Sequence, residues 1–223
     1  MVTEVNPPYK NEVVILKTIF LIRHSLKEKK YYSDIEIVDK QKFDEQKKLS
    51  EEGKELAKKL SQLDVLKNVK EVWASNYERA IETAKYIADG KNINITNSFD
   101  ERHYGNFDED IDKEEFWINQ FKDENLKNEH GESQKDVRKR FDDKINHILE
   151  NSSNDEIAIV SHNAAILFYL LKYCNLISAE VSKRITIGYK DKILIKGGIM
   201  KSPSIMKLNF DNNELVDIEY IEV

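Results

Sequence analysis

The chain is poor in cysteine and arginine and has no long apolar run. Its single cysteine, Cys174, excludes an internal disulfide and any cysteine-rich zinc site. It lies in the apolar stretch 167–174, where a buried, inert thiol is the ordinary reading. No stretch approaches the ~18–20 uninterrupted apolar residues that span a bilayer. The first seventeen residues carry Glu4, Glu12 and two prolines instead of the apolar core of a secretory signal, so a cytoplasmic location is expected. A net charge of −6 argues against a general nucleic-acid binder. It leaves room for an anionic small substrate, because the local charge of a pocket can oppose the global sign. What remains is 223 residues, 40 % hydrophobic and 34 % charged, enough apolar material for a core. With no repeat and no low-complexity linker, the expectation is one domain over residues 1–223.

The scarcity of arginine guides the search. Of 35 basic residues only six are Arg: Arg23, Arg79, Arg102, Arg138, Arg140 and Arg184. In a chain that otherwise uses Lys, an Arg marks a place where a planar, permanently charged fork is wanted.

Short β-rich runs alternate with helical patterns. Residues 17–22 (KTIFLI) read as a strand covered on both faces, and 69–74, 93–96 and 157–161 as three more. Ser50 caps a helix with Glu51 and Glu52 in its first turn and Leu56, Leu60 and Leu63 on one face. A second helix starts near Tyr77, turns Ala80, Ala84 and Ile87 inward and stops at Gly90. Residues 36–48 read as a loop or weak helix, 113–150 as a charged helical excursion from the sheet, and 163–173 as a helix. Within the excursion Ser133 and Asp136 suggest a capping box, while His130 and His147 read as solvated. Two strands at 205–210 and 215–221, joined by Asp211-Asn212-Asn213, close the chain as a hairpin over about 204–222. The fold class implied is α/β: a mainly parallel sheet sandwiched by helices, with an antiparallel C-terminal hairpin.

In open parallel sheets, ligands bind beyond the carboxyl ends of the strands. The residues found there are Arg23 and His24 after the first strand, and Ser75 with Arg79 after the second. Asp100-Glu101-Arg102-His103-Tyr104-Gly105 follows the third, and Ser161-His162-Asn163 the fourth. This set suits transfer of a phosphoryl group to histidine. Guanidiniums hold the phosphate oxygens, a neutral imidazole attacks phosphorus, and a carboxylic acid protonates the leaving alkoxide. The cage neutralises charge itself, so no metal and no other cofactor is expected.

Six blocks in order resemble the histidine phosphatase superfamily, in its branch of cofactor-dependent phosphoglycerate mutases and broad phosphatases. They are Phe20-Leu21-Ile22-Arg23-His24, Leu49-Ser50-Glu51-Glu52-Gly53 and Ser75-x-x-x-Arg79-Ala80-x-x-Thr83-Ala84. Glu101-Arg102-His103-Tyr104-Gly105, Gly131-Glu132-Ser133 and Val160-Ser161-His162 complete the set. The resemblance implies a three-layer α/β/α fold, with His24 as the phosphorylated nucleophile and Arg23, Arg79 and His162 as the phosphate pocket. It makes Glu101 the proton donor. Ser25, Arg102 and Asn163 are the candidate substrate contacts. Ser25 stands where the family has Gly, Leu26-Lys27 replaces its usual Glu/Gln-Thr/Ser pair, and Asn163 replaces the Gly after the second histidine. The Asn and Arg that many members place downstream are missing from 28–48.

The expected activity is metal-independent hydrolysis of a small phosphate monoester. The alternatives are a phosphoglycerate mutase-type transfer, suggested by the ERHYG string, and a silent phosphate-binding or regulatory protein, suggested by Ser25. A metal hydrolase comes last, because no H-x-H or H-E-x-x-H spacing occurs. The expected partner is a small phosphorylated substrate, with no nucleic acid and no membrane, and pairing as a homodimer is left open.

Overall fold

Strand alternation organises the molecule. The computed structural model describes residues 16–29, 40–106, 111–181 and 184–223. In β1 (Leu16–Arg23), Phe20 and Ile22 face one helical layer, while Ile19 and Leu21 face the other. β4 (Glu156–Ser161) repeats the pattern, Ala158 and Val160 joining the first layer and Ile157 and Ile159 the second. The first layer is α2 (Glu51–Ser61) and α3 (Glu78–Ala88), through Leu60, Ala80, Ala84 and Ile87. The second is α5 (Gln134–Asn151) and α6 (Asn163–Leu170), which is buried at every residue after Asn163. A strand buried on both faces has no polar side, which is why KTIFLI reads as an unbroken apolar run. Each Ile or Leu so enclosed contributes about 1.5–3 kcal/mol of burial.

The main sheet has the order β3 (Ile93–Ile95), β2 (Glu71–Ala74), β4, β1, β8 (Ser204–Asp211), β9 (Glu214–Glu222). β3, β2, β4 and β1 run parallel, whereas β8 pairs antiparallel with β1 and β9 with β8. Asn212 and Asn213 take φ of 48° and 68° in the hairpin turn, a left-handed conformation that asparagine tolerates. The mainly parallel, helix-sandwiched sheet with its C-terminal hairpin is therefore present.

The helix ends follow their local chemistry. Ser50 accepts the Gly53 N–H at the start of α2. Ser133 and Asp136 close a capping box on α5. α3 ends at Asp89 in the left-handed region, with Gly90 next.

Two elements differ from expectation, and a third settles an open one. α5 is not an excursion: Val137, Phe141, Ile145 and Ile148 pack into the same cluster as Ile19 and Ile159. Of the 113–150 region, α4 (Lys113–Lys122) is the part that lies against the strand β5 (Asn175–Glu180). That strand belongs to a second, antiparallel sheet, β5-β6-β7, completed by β6 (Arg184–Tyr189) and β7 (Lys192–Lys196). Ile185, Ile187, Leu194 and Ile195 bind this sheet to the core beside α6. Finally, residues 40–45 form a short helix, α1 (Lys40–Glu45), within the stretch read as a loop or weak helix.

Candidate active site

Parallel register brings the two histidines together. Arg23 is paired with Ser161 across β1 and β4, so His24 and His162, each one residue further on, leave the sheet side by side. Their ring centroids lie 5.1 Å apart. The His24 backbone is pinned on both sides, its N–H donating to Ser161 O (2.9 Å) and its carbonyl accepting from Ser202 Oγ (2.6 Å). Ser75 follows β2, its N–H donating to the Val160 carbonyl (3.0 Å), and the first turn of α3 then delivers Arg79.

Hydrogen bonds assign the tautomers. Nδ1 of His24 lies 2.7 Å from the Ser25 carbonyl, which can only accept, so the proton is on Nδ1 and the Nε2 lone pair is bare. Arg79 Nε–H donates to that lone pair at 3.0 Å. In His162 the order is reversed. Nδ1 faces Arg79 Nη2 (3.3 Å) and so accepts, and Nε2–H donates to Ser75 Oγ (2.7 Å). Burial pushes both imidazoles well below the usual histidine pKa, and the Arg79 charge lowers them further. Both rings are therefore neutral. A neutral imidazole with one nitrogen anchored as a donor and the other unprotonated has the chemistry of a nucleophile once that lone pair is released.

Arg79 is 2 % exposed and lies over the Tyr77 ring at 4.7 Å. Its Nη2 donates to Asp44 Oδ2 at 2.9 Å, and its Nη1 to the Asp44 carbonyl. Asp44 also receives Lys27 (2.6 Å) and Lys47 (3.2 Å). Burial favours the neutral acid, but Arg79 and the lysine hydrogen bonds prevail and hold the Asp44 carboxyl down at about 2. Arg23 donates through Nη1 to the Met200 carbonyl. Its buried Nε, like that of Arg102, meets no acceptor among the described residues.

Glu101 is buried at the start of α6. Its carboxylate accepts the N–H groups of Ala165 (3.0 Å), Ala164 (3.4 Å) and Arg102 (3.0 Å). Arg140 braces this loop by donating to the Ser98 and Glu101 carbonyls, while gripping Glu132. Arg102 is 4 % exposed, bonded to Gln120 and lying 4.8 Å from the Tyr104 ring.

Ser25 and Asn163 are turned to other tasks. The Ser25 hydroxyl donates to the Gly53 carbonyl (2.7 Å), which ties the segment after His24 to α2. Gly53 is required there, because a Cβ would come within 2.0 Å of the Leu26 carbonyl oxygen. The Asn163 amide clamps the 198–200 loop, donating to Gly198 O and accepting from Met200 N. As ligand contacts, these two expected side chains are already occupied by the protein itself. His103, His130 and His147 are exposed, and Arg184 pairs with Glu114 at the surface. Phe107, Asp108, Glu109, Asp110 and Lys183 lie outside the described residues.

Sequence reasoning missed Asp44, Lys47 and Arg140. An acid in a short charged stretch carries no periodicity or spacing that points to the site, and only the fold brings it to Arg79. Among the described residues, no group of three or more His, Cys, Asp or Glu is placed to hold a metal ion. No helix among them is long and apolar enough to cross a membrane.

Fold and site together define an α/β protein with paired neutral imidazoles and a buried guanidinium at the carboxyl ends of parallel strands. The chain belongs to the histidine phosphatase superfamily (branch 1), whose family model matches residues 19–188. Solved structures share the fold at low identity. A mycobacterial glucosyl-3-phosphoglycerate phosphatase superimposes with a TM-score of 0.64 at 15 % identity, covering 92 % of this chain and 97 % of its own. A phosphoserine phosphatase mutant from Entamoeba histolytica, in complex with phosphoserine, gives 0.60 at 17 % identity, with coverage of 92 % and 97 %. A phosphoglycerate mutase from Bacillus anthracis gives 0.59 at 16 %, with 93 % of each chain covered. A search of curated protein sequences found no match.

Proposed function

We propose that the protein is a phosphoric monoester hydrolase that works through a phosphohistidine. The observation that carries this reading is the state of His24, with Nδ1–H fixed on the Ser25 carbonyl and an unprotonated Nε2 whose lone pair accepts from Arg79 Nε. Nε2 attacks phosphorus as the bond to the ester oxygen breaks, and Glu101, in its protonated form, gives that oxygen its proton. Water then attacks the phosphohistidine, Glu101 takes the proton, and orthophosphate leaves. Arg79 holds the phosphoryl oxygens, with Arg23 on the Met200 side of the pocket, and His162 adds a donor to them only when its Nδ1 takes up a proton.

Mutase activity is the second reading, favoured by Arg102 beside Glu101. A mutase must keep its phosphoryl group from water while the substrate reorients, which needs further cations on the non-reacting end. No Arg occurs between 107 and 131, which supports hydrolysis. Quenching a reaction with labelled ester in alkali should trap an acid-labile, base-stable phosphoprotein that is absent in His24→Ala. Turnover without that species in the wild type would refute the mechanism. Isomerisation of 3-phosphoglycerate that needs a bisphosphate primer and outpaces phosphate release would replace hydrolysis with the mutase.

A further inference from the structure

We propose that Asp44 is a built-in occupant of the phosphate site, and that Lys27 and Lys47 join Arg79 in holding the substrate phosphoryl group once Asp44 has left. The proposal rests on the reading of His24 and Arg79 as the phosphoryl pocket. One carboxylate here collects three cations: Oδ2 takes Arg79 Nη2 at 2.9 Å, and Oδ1 takes Lys27 Nζ at 2.6 Å and Lys47 Nζ at 3.2 Å. The Asp44 main-chain carbonyl takes Arg79 Nη1 as well. Both outer arms of the guanidinium are thus filled, in the two-oxygen pattern that a phosphate would use. A phosphate dianion brings more charge and more acceptor oxygens to these three cations than the single carboxylate that they now share.

The same contact silences the nucleophile. While Asp44 holds the guanidinium by its outer nitrogens, Nε–H lies on the His24 Nε2 lone pair, which must be free to attack. Substrate therefore enters by exchange. The phosphate takes the fork and the two ammonium groups, Asp44 leaves, and the guanidinium moves off the imidazole. α1 suits such a movement, since among its described side chains only Asp44 is buried, while Gln41, Phe43 and Glu45 are half-buried and Lys42 is exposed. An element held chiefly by polar contacts opens more cheaply than one anchored in a core. Lys27 and Lys47 also supply cations to the segment where the Asn and Arg of many family members are missing.

Titration calorimetry with inorganic phosphate tests the exchange without turnover. Asp44→Ala and Asp44→Asn are expected to bind phosphate about tenfold or more tightly than wild type, because the competing closed state is removed. Changing both lysines to Met in the Asp44→Ala background should erase that gain. Glu45→Gln, which removes the same charge one residue away, should leave affinity near wild type. Equal tightening in Glu45→Gln, or unchanged or weaker binding in both Asp44 variants, overturns the proposal and leaves the pocket standing. No binding by wild type, Asp44→Ala or Asp44→Asn overturns both the proposal and the pocket. In the wild type itself, phosphate should speed amide exchange over residues 40–47, and unchanged or slower exchange would again refute it.

Discussion

The two ends of the main sheet both bury charged groups, and they treat them differently. At the amino ends, Lys17 is 7 % exposed and gives its ammonium to the carbonyls of Leu149 and Ser152, each at 2.6 Å. Those carbonyls belong to the last turn and cap of α5, so the cation meets the negative end of a helix. Nearby, Glu71 accepts from Trp73 Nε1 (2.6 Å), Asn154 Nδ2 (3.0 Å) and Ser152 Oγ. Each ion there is matched by the protein. At the carboxyl ends, Arg79, Arg23, Lys27 and Lys47 crowd around neutral imidazoles, and α3 and α6 begin there with their positive ends. Arg23 Nε has no acceptor among the described residues, and one carboxylate, that of Asp44, is shared by three of the cations. A saturated cluster holds the fold, whereas the donors at the carboxyl ends are those of the proposed phosphate pocket.

Substitutions at the two ends should therefore separate into kinetic and stability effects. Arg79→Lys is expected to have the largest effect, cutting kcat/KM by about 10²–10³-fold, because an ammonium cannot reproduce the planar fork. Kinetics on a phosphate ester together with vanadate inhibition would measure this, and an unchanged inhibition constant would break the comparison. Lys17→Met should do the reverse. It leaves the Leu149 and Ser152 carbonyls without the ammonium, lowers stability by about 1–3 kcal/mol in urea unfolding, and keeps KM unchanged.

The smallest effect is on pH dependence. His24 and His162 stay neutral in the fold, so below pH ~6.5 the unfolded chain binds two protons that the native protein lacks. Burial pushes the Asp100 carboxyl up to about 6, so between that pH and its ordinary range the native protein binds one proton that the unfolded chain lacks. Asp44, held at about 2, titrates only in stronger acid. Near pH 5 the balance is about one proton in favour of unfolding. Stability should thus fall by about 1.4 kcal/mol per pH unit as the medium is acidified, and return above pH ~6.5. Denaturant unfolding at pH 7, 6 and 5 would show it, and stability that rose on acidification would mean that both imidazoles are charged in the fold.

Much of this was legible from local signals. The apolar run of β1, the turn at Asn212-Asn213, the capping box at Ser133 and the order of the RH, Ser75/Arg79, Glu101 and His162 blocks each report short-range constraints. The sheet β5-β6-β7 was not legible, although Ile185, Ile187, Leu194 and Ile195 are its buried residues. Its strands are short, broken by bulges, and set against α4 and β9, partners that only the fold supplies. The placing of 113–150 outside the sheet failed for a related reason. The polar face of α5 dominates its composition, while the buried Val137, Phe141 and Ile145 recur at helical spacing and find the sheet only in three dimensions.

By itself the sequence determined which strands are buried on both faces, where the helices start, and which residues follow each strand. These depend on periodicity, capping and chain neighbours. Tertiary structure alone decided that Ser25 and Asn163 turn their polar groups to the protein, that His24 carries its proton on Nδ1, and that Asp44 sits in the fork of Arg79. Such choices depend on which partner lies within hydrogen-bond reach. Asp44 and Arg79 are 35 residues apart in the chain, and no local rule can say that they meet.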